Sequence, residues 1–551
     1  MSLSHNSKEK DSIRELPPLP CRMTLRELLD ARCLKYGSKT LLIDSAGNKE
    51  YSYAAFQRKV NAVSNLLWGM GIRKEDKVSL LMSSSPSFLW SFFAIMQIGA
   101  IACPVNTHLK REEIAFVLND SDSVAVFVTP QYLETALHIQ VETGNKITLL
   151  VWGDVAETSE QCSSQAIDVE QAIMDEEETL RPEIAEISLA PEDVAELIYT
   201  SGTTGKPKGA MLTHHNLIID AHWIAARHRL EEGDRAMCVM PLFHVNGQVV
   251  TVITPLYHGG SIVLPERFSV TSFFPHIIRY GVTYTGTVAT MLSMLLNRLE
   301  PVDMARESRL RVIFCGSAPV PVEVQAAFER TFKIPVIEGY GMTETTCRST
   351  FNLLPPSGKL KLGESDGYRK LGSVGIPLGN EMMVVDEQER PLGVGQLGEI
   401  VIRGENVMKG YYKNPEATAE AFRGGWFHSG DLGYYDQDGY FTIVDRKNDM
   451  IIRAGENIYP REVEEVLYSH PAVKDAACTG VPDELYGEEV AAFVVLKDNA
   501  RTGEAELISF CNKHLAAFKC PKKIKIVDQI PKSSSGKLLR RKLRETWEYN
   551  S

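Results

Sequence analysis

Apolar runs of strand length alternate with helix-length patterns along most of this chain, and no other feature constrains the fold as much. Lys77–Met82 (KVSLLM) precedes a helical pattern at Phe88–Ile98. Ser123–Thr129 (SVAVFVT) is a continuous apolar run, the pattern of a strand covered on both faces. RVIFCGSAPVP, Arg311 to Pro321, runs into the helical VEVQAAFERTF. Strand, loop and helix repeated in this way predict α/β layers built on parallel sheets. With 551 residues the chain is too long for one core, so more than one domain is expected.

The pattern changes twice. Near residue 380, MMVVDEQERPLGVGQLGEIVIRG has short strands between Gly and Pro turns, the mark of a small β-rich unit. From about Asp445 a compact α+β series follows: DMIIRAG, the helical PREVEEVLYSHP, the strands AVKDAACTGV and EVAAFVVLK, the helical AELISFCNKHLA and a last strand, KIKIVDQI. The expected organisation is a disordered lead over 1–24, a large N-terminal domain over 25–445 and a small C-terminal domain over 446–551. The large domain is read as layered α/β subdomains plus a small β-rich subdomain.

Composition narrows the class. Hydrophobic residues make up 44% and charged residues 24%, as in soluble enzymes, and the formal net charge is −12. That balance argues against a nucleic-acid partner. Ten cysteines are scattered without a C-x-x-C pair, the usage of a reducing, cytoplasmic setting. The lead MSLSHNSKEKDSIRELPPLP has no apolar core and is no secretory signal. SFLWSFFAIMQIGAIACPV, Ser87 to Val105, imitates a membrane span, but Gln97, Gly99 and Pro104 interrupt it. Its clean apolar part falls short of the ~20 residues a span needs, so a buried helix feeding a buried strand is expected.

YTSGTTGKPKGAMLTHHN, Tyr199 to Asn216, concentrates glycines, hydroxyls and lysines between hydrophobic flanks. It is no Walker A loop, because Pro207 follows Lys206. It still has what a phosphate cradle needs. Gly202, Gly205 and Gly209 allow backbone N–H groups to turn toward an anion, Thr200, Ser201, Thr203 and Thr204 add hydroxyl donors, and Lys206 and Lys208 add charge. The strand-like AELIYT before it and the helix-like NLIIDAHWIAA after it predict a strand–loop–helix setting.

Here the chain resembles the adenylate-forming acyl-CoA synthetases, the family that also holds the luciferases and the adenylation domains of peptide synthetases. The same loop resembles the family's signature, and four more motifs follow in the family's order. They are EGYGMTET (Glu338–Thr345), GQLGEIVIRGENVMKGYYKNP (Gly395–Pro415), WFHSGDLGYYDQDGYFTIVDRKNDMIIRAGENIYPREVE (Trp426–Glu464) and PKSSSGKLLRRKL (Pro531–Leu543). The resemblance runs from about residue 25 to 545. It implies that a carboxylate attacks the α-phosphorus of ATP, and that a thiol, usually that of coenzyme A, then displaces AMP. Bringing two anions together needs positive charge, Mg²⁺ and fixed donors.

The resemblance assigns roles residue by residue. The Thr200–Lys208 loop holds the β,γ-phosphates. Thr343 contacts the α-phosphate and Glu344 is the Mg²⁺ carboxylate, as one acid plus phosphates is typical for magnesium. Tyr340, between Gly339 and Gly341, flanks the adenine opposite Ala318 and Pro319. Asp431 binds the ribose and Arg446 assists near ribose and phosphates. Lys537 is the expected catalytic cation, bridging carboxylate and α-phosphate oxygens, after a Ser-Ser-Ser-Gly run that reads as flexible. Lys519–Arg544 holds ten basic residues and one acid, read mostly as a solvated basic tail, some of which could meet coenzyme A phosphates. DRKNDMI resembles the family hinge, with Asn448 where the pivot is usually Asp or Lys. Rotation there is expected to present first Lys537 and then the face Ala454–Gly455–Glu456–Asn457 for thioester formation.

For the acid, His244 resembles the residue beside the substrate carboxylate. Val245 stands where amino-acid-activating relatives carry Asp, and a buried Val cannot pair an ammonium, so amino acids are disfavoured. Gly341 stands where acetate-specific relatives carry Trp, which implies an acid larger than acetate. Thr287, Val288 and Ala289 complete the expected pocket. Medium-chain, aryl, alicyclic and crotonobetaine-like acids stay open, with a weak similarity to carnitine-type ligases. The reading allows a homodimer and no stable membrane insertion. Two alternatives remain beside the coenzyme A ligase. An adenylation enzyme loading a carrier protein predicts an attached or partner carrier domain, and none is expected after Ser551. A non-catalytic nucleotide-binding scaffold predicts lost chemical groups, yet Glu344, Asp431, Arg446 and Lys537 are present. No G-x-S-x-G elbow supports a serine hydrolase.

Overall fold

Ser85 starts the most apolar helix of the chain. Its hydroxyl accepts the Phe88 N–H and Pro86 occupies the first turn, where a missing N–H costs nothing. Every residue from Phe88 to Gln97 on this helix, Pro86–Gln97, is buried, and the chain then enters the buried strand Ile101–Pro104. The membrane-like stretch is therefore core. Among the described residues no helix is long and apolar enough to cross a membrane.

The structure is a computed structural model that describes residues 16–18, 21–144, 146–153, 166–174, 176, 178–200, 207–355, 360–447, 449–454, 456–483, 485–498, 500–533 and 536–548. Two large sheets form the first part. One runs, edge to edge, through Ile376–Pro377, Thr350–Phe351, Val336–Tyr340, Val312–Cys315, Tyr284–Thr287, Arg235–Met237, Ser261–Leu264, Thr40–Asp44 and Lys49–Ser52. Its central pairs are parallel and its outer pairs antiparallel. The other runs through Gly410–Tyr411, Lys208–Thr213, Val194–Thr200, Ile101–Pro104, Lys77–Leu81, Ser123–Val128, Thr148–Val151 and Ala166–Asp168. The largest core cluster joins both sheets through the helices Tyr53–Gly69, Pro86–Gln97 and His214–His228. The α/β expectation holds, with mixed rather than purely parallel sheets.

The signature loop sits differently from the expected strand–loop–helix unit. Val194–Thr200 and Lys208–Thr213 pair antiparallel, with Thr200 opposite Lys208, so a second strand separates the loop from the helix His214–His228. KGAMLT was masked as a strand by the glycine and by the loop's composition. Gly209 is needed for packing. A Cβ there would lie 2.8 Å from Leu197 Cδ1, so this glycine lets the two strands sit close.

The β-rich unit near residue 380 is a four-stranded sheet, Glu381–Val385, Gly398–Arg403, Phe427–Tyr435 and Phe441–Arg446. The C-terminal part has a five-stranded sheet with its own core, formed by Ile451, Val463, Leu467, Cys478, Val494 and Ile524 among others. The basic tail is more ordered than expected. Arg540–Glu548 is a helix whose Leu543 and Trp547 are buried, the Trp547 ring edge-on to Phe493 at 5.7 Å. Lys519, Lys532 and Arg544 pair with Glu462, Asp475 and Glu488. Within the expected disordered lead, residues 1–15, 19 and 20 lie outside the described residues. The end of that lead is held, however. Pro17 O accepts from His222, Arg22 pairs with Glu192 and Glu405, and Thr24 caps the helix Leu25–Tyr36.

Candidate active site

Three strands meet at one cavity of about 170 Å³. The parallel strand Val336–Tyr340 delivers Tyr340. The antiparallel pair Phe427–Tyr435 and Phe441–Arg446 delivers Asp431 and Arg446 in direct register. Tyr340 Oη donates to Asp431 Oδ2 at 2.6 Å, and Arg446 Nε lies 3.2 Å from Asp431 Oδ1. Burial, reinforced by the Asp431 charge, pushes the Tyr340 phenol well above its ordinary range, so it stays a donor. Ala318, Pro319, Gly339 and Gly341 line the same cavity.

Glu344 stands in the short turn Thr343–Thr345. Its Oε1 accepts hydroxyl bonds from Thr200 and Tyr411, each at 3.1 Å. Thr343 O accepts the Thr346 N–H at 3.0 Å, which fixes the turn. Lys208 extends over the Tyr411 ring at 5.2 Å. The mouth of the signature hairpin thus touches the candidate magnesium carboxylate directly. Ser201, Gly202, Thr203, Thr204, Gly205 and Lys206 lie outside the described residues.

Lys537 reaches the cavity from the C-terminal part. Ser534 and Ser535 of the serine run lie outside the described residues, and the residues flanking them are held. Ser533 N–H donates to Lys537 O at 2.8 Å, and Lys532 and Leu538 form an isolated antiparallel bridge. Gly536 has φ +77°, and a Cβ there would lie 3.0 Å from Thr290 Oγ1 and 3.2 Å from Val288 Cγ2. The turn therefore rests on the large domain, a contact that the serine-rich composition concealed. Burial lowers the Lys537 ammonium to about 8, helped by the Arg446 charge and opposed by Asp431, Asp449 and Glu344.

A buried ionic cluster lies beside it that the motifs did not announce. Arg540 makes hydrogen bonds to Glu464 and to Cys478 O, and lies 3.4 Å from Asp449 and 4.0 Å from Asp445. Asp445 also accepts the Arg461 N–H at 3.0 Å. The cluster spans the expected domain boundary. Asn448 and Gly455 lie outside the described residues. Glu456 and Asn457 are exposed on the strand Glu456–Ile458, away from the cavity lining.

The expected acid pocket is only partly assembled at this cavity. Ala289 lines it, but Thr287 turns its hydroxyl to Phe314 O at 3.3 Å, and Val288 is buried beneath Gly536. Val245 is buried and His244 half-buried just before the π-helix Asn246–Ile253, and neither lines this cavity. Burial lowers the His244 imidazole to about 4, so it is neutral at pH 7. The inference from Gly341 to a large acid loses its force. A Cβ there would lie 2.0 Å from Cys347 O, so the chain's own backbone requires this glycine.

Comparison with known proteins agrees with this geometry. Residues 29–412 match the AMP-binding enzyme family and residues 462–537 match the AMP-binding enzyme C-terminal domain. A sulfoacetate–CoA ligase of Cupriavidus necator is 36% identical over 94% of this chain and 97% of that protein. An oxalate–CoA ligase of Arabidopsis thaliana is 36% identical over the same shares. A crotonobetaine/carnitine–CoA ligase of Escherichia coli is 32% identical over 94% and 98%. The crystal structure of the anthranilate CoA ligase AuaEII with anthranoyl-AMP superposes with a TM-score of 0.86 at 28% identity, covering 97% of this chain and 98% of that one. The chain belongs to the AMP-binding enzyme family and is an acyl-CoA synthetase of that family.

Proposed function

We propose that this enzyme activates a small polar carboxylic acid as its acyl-adenylate and transfers it to coenzyme A, with Lys537, Asp431, Arg446 and Tyr340 as the working groups. The observation that carries the reading is the arrival of Lys537 from the C-terminal part in the cavity that holds Tyr340, Asp431 and Arg446. Enzymes of this family that form acyl-CoA use ATP, magnesium and coenzyme A. The residues present fit such a triphosphate. Asp431 is a fixed acceptor for ribose hydroxyls, Tyr340 and Pro319 offer flat faces for a base, and Lys208 and Lys537 supply positive charge.

Glu344, with its two hydroxyl neighbours, suits a hard cation that takes its remaining oxygens from phosphates. Magnesium bound there would neutralise phosphate charge. Among the described residues no cluster of three or more His, Cys, Asp or Glu could hold a metal by itself.

Lys537 places its ammonium where negative charge gathers when carboxylate oxygen attacks the α-phosphorus. Such fixed charge in a partly dry site is the strongest electrostatic aid available to the step. Seated as it is, the C-terminal part serves the first half-reaction, and Glu456 and Asn457 need a rotation to reach the cavity for the second. The neutral His244, next to Val245, suits contact with an uncharged thioester or acyl group better than with a cation. The relatives act, by name, on sulfoacetate, oxalate and crotonobetaine or carnitine. That range supports a short polar acid over a long aliphatic one.

The test is a panel of carboxylic acids with ATP, magnesium and coenzyme A, scored by pyrophosphate and AMP release. Stoichiometric acyl-CoA, AMP and pyrophosphate are expected. Release of ADP, or adenylate that free coenzyme A fails to discharge, would refute the assignment.

A further inference from the structure

Arg348 is a fully buried cation, 1% exposed, with no carboxylate ion-paired to its guanidinium among the described residues. Its Nη1 donates to Gly339 O at 3.1 Å and its Nη2 to Asn246 Oδ1 at 3.3 Å, both neutral acceptors. Among the described residues Nε has no hydrogen-bond partner, and no carboxylate is ion-paired to the guanidinium. Asp220 touches this residue only through the backbone, accepting the Arg348 N–H at 2.9 Å. Burial pushes the Asp220 carboxyl up to about 8 and the Glu338 carboxyl up to about 7, each drawn back by the Arg348 charge, so neither balances it fully at neutral pH. The Phe351 ring face, 5.2 Å from Cζ, compensates only in part. A buried charge left in this state costs several kcal/mol unless something pairs with it. An apolar residue would fill the same volume without that cost.

The position of the guanidinium says what the partner is. Nη1 lies 1.9 Å from where a Cβ of Gly316 would stand, so the wall in front of it is bare backbone. Gly339, which accepts from Nη1, lines the nucleotide cavity. Asn246, which accepts from Nη2, donates to Ser317 Oγ at 3.2 Å, and Ser317 lines the same cavity. Asn246 follows by two residues His244, the residue expected beside the substrate carboxylate. The cation thus stands one residue behind the cavity wall, joined to it through Gly339 and through Asn246 and Ser317.

We propose that Arg348 reads a second anionic group on the acid, a carboxylate or sulfonate, so that the enzyme is a ligase for short dianionic acids. This rests on the acyl-CoA synthetase reading above. A bidentate guanidinium contact suits either group. The same charge repels ammonium and trimethylammonium groups, which places betaine-type acids among the poor substrates.

The full-length enzyme is assayed with ATP, magnesium and coenzyme A on length-matched pairs: propionate with malonate, butyrate with succinate, acetate with sulfoacetate, and carnitine as the cationic arm. The wild type is expected to favour a dianion over its matched monoanion by at least ~100-fold in kcat/KM, since sites built to bond a polar group reject analogues lacking it. The malonate, succinate and sulfoacetate arms separate carboxylate from sulfonate. Arg348→Met should collapse the dianion-to-monoanion ratio by roughly 100-fold, and Arg348→Lys should recover part of it. The wild-type panel decides the matter even if a variant fails to fold. Preference for monoanions, or equal loss of both classes in a folded Arg348→Met, overturns the proposal and leaves the ligase intact. If no acid of any kind yields acyl-CoA, the ligase reading falls and this one with it.

Discussion

Asp431 and Arg446 stand directly opposite each other on adjacent antiparallel strands, joined by a 3.2 Å contact between Arg446 Nε and Asp431 Oδ1. Tyr340 takes the other carboxylate oxygen at 2.6 Å, so the acid is clamped from two elements before any nucleotide arrives. Asp431→Ala removes the acceptor and leaves the Tyr340 hydroxyl and the Arg446 charge without it. The expected result is a rise of about 100-fold in KM for ATP, roughly 2.7 kcal/mol, with the KM for the acid little changed. Asp431→Asn should cost about tenfold, because Tyr340 keeps a partner. Steady-state kinetics with each substrate varied in turn make the measurement. A parallel rise in both KM values would place Asp431 elsewhere than at the nucleotide.

Lys537 yields a pH prediction with a definite sign. Its ammonium is lowered from the ordinary lysine range to about 8, and the charged form is the one that aids attack at phosphorus. The cation is therefore complete below about pH 7 and lost as pH rises through about 8. In kcat/KM for pyrophosphate release, which reports the free enzyme, activity should fall on that alkaline limb. Lys537→Arg should move the fall upward by more than one pH unit, and Lys537→Ala should cost adenylation at least ~1,000-fold while sparing thioester formation from preformed adenylate. A profile flat to pH 9.5 contradicts the assigned role.

Much of this arrangement was legible in the sequence, and the exceptions have physical causes. Apolar continuity in SVAVFVT and in RVIFC announced buried strands because those strands are covered on both faces. The motif around Tyr340, Thr343 and Glu344 could be placed because a strand must end in a tight turn to expose them. Lys208–Thr213 escaped notice as a strand because its glycine and lysine belong to the loop chemistry as well as to the ladder. Arg348 was passed over because an arginine carries no sequence mark of being buried; only its contacts with Gly339 and Asn246 reveal it. Gly341 misled for the opposite reason. A glycine reads as empty space until the Cys347 carbonyl is seen to fill it.

Gly536 is the point where the catalytic turn meets the large domain. Its φ of +77° is open to glycine and strained for other residues, and an added Cβ would press on Thr290 Oγ1 at 3.0 Å. Gly536→Ala should therefore lower adenylation by about tenfold, roughly 1.4 kcal/mol, by unseating Lys537. The C-terminal core does not involve this turn, so the melting temperature should move by less than about 2 °C. Single-turnover adenylation beside calorimetry separates the two effects. Wild-type adenylation in Gly536→Ala would show that the seat on Val288 and Thr290 is dispensable.

Glu196 couples stability to pH in the direction opposite to a paired acid. It sits fully buried on the strand Val194–Thr200, facing the Gln248 side chain and without a charged partner among the described residues. Desolvation raises its carboxyl from 4.5 to about 8, with the Gln248 side chain opposing weakly. Between these values the folded chain holds a proton that the unfolded chain has released, so stability falls as pH rises from about 4.5 and levels off above about 8. Glu196→Gln keeps the shape and removes the titration. It should raise the melting temperature clearly at pH 8.5 and very little at pH 5, the full difference being on the order of a few kcal/mol. Thermal unfolding of both proteins across that range is the check. A shift that is the same at both pH values would mean that the Glu196 carboxyl is charged in the folded enzyme at neutral pH.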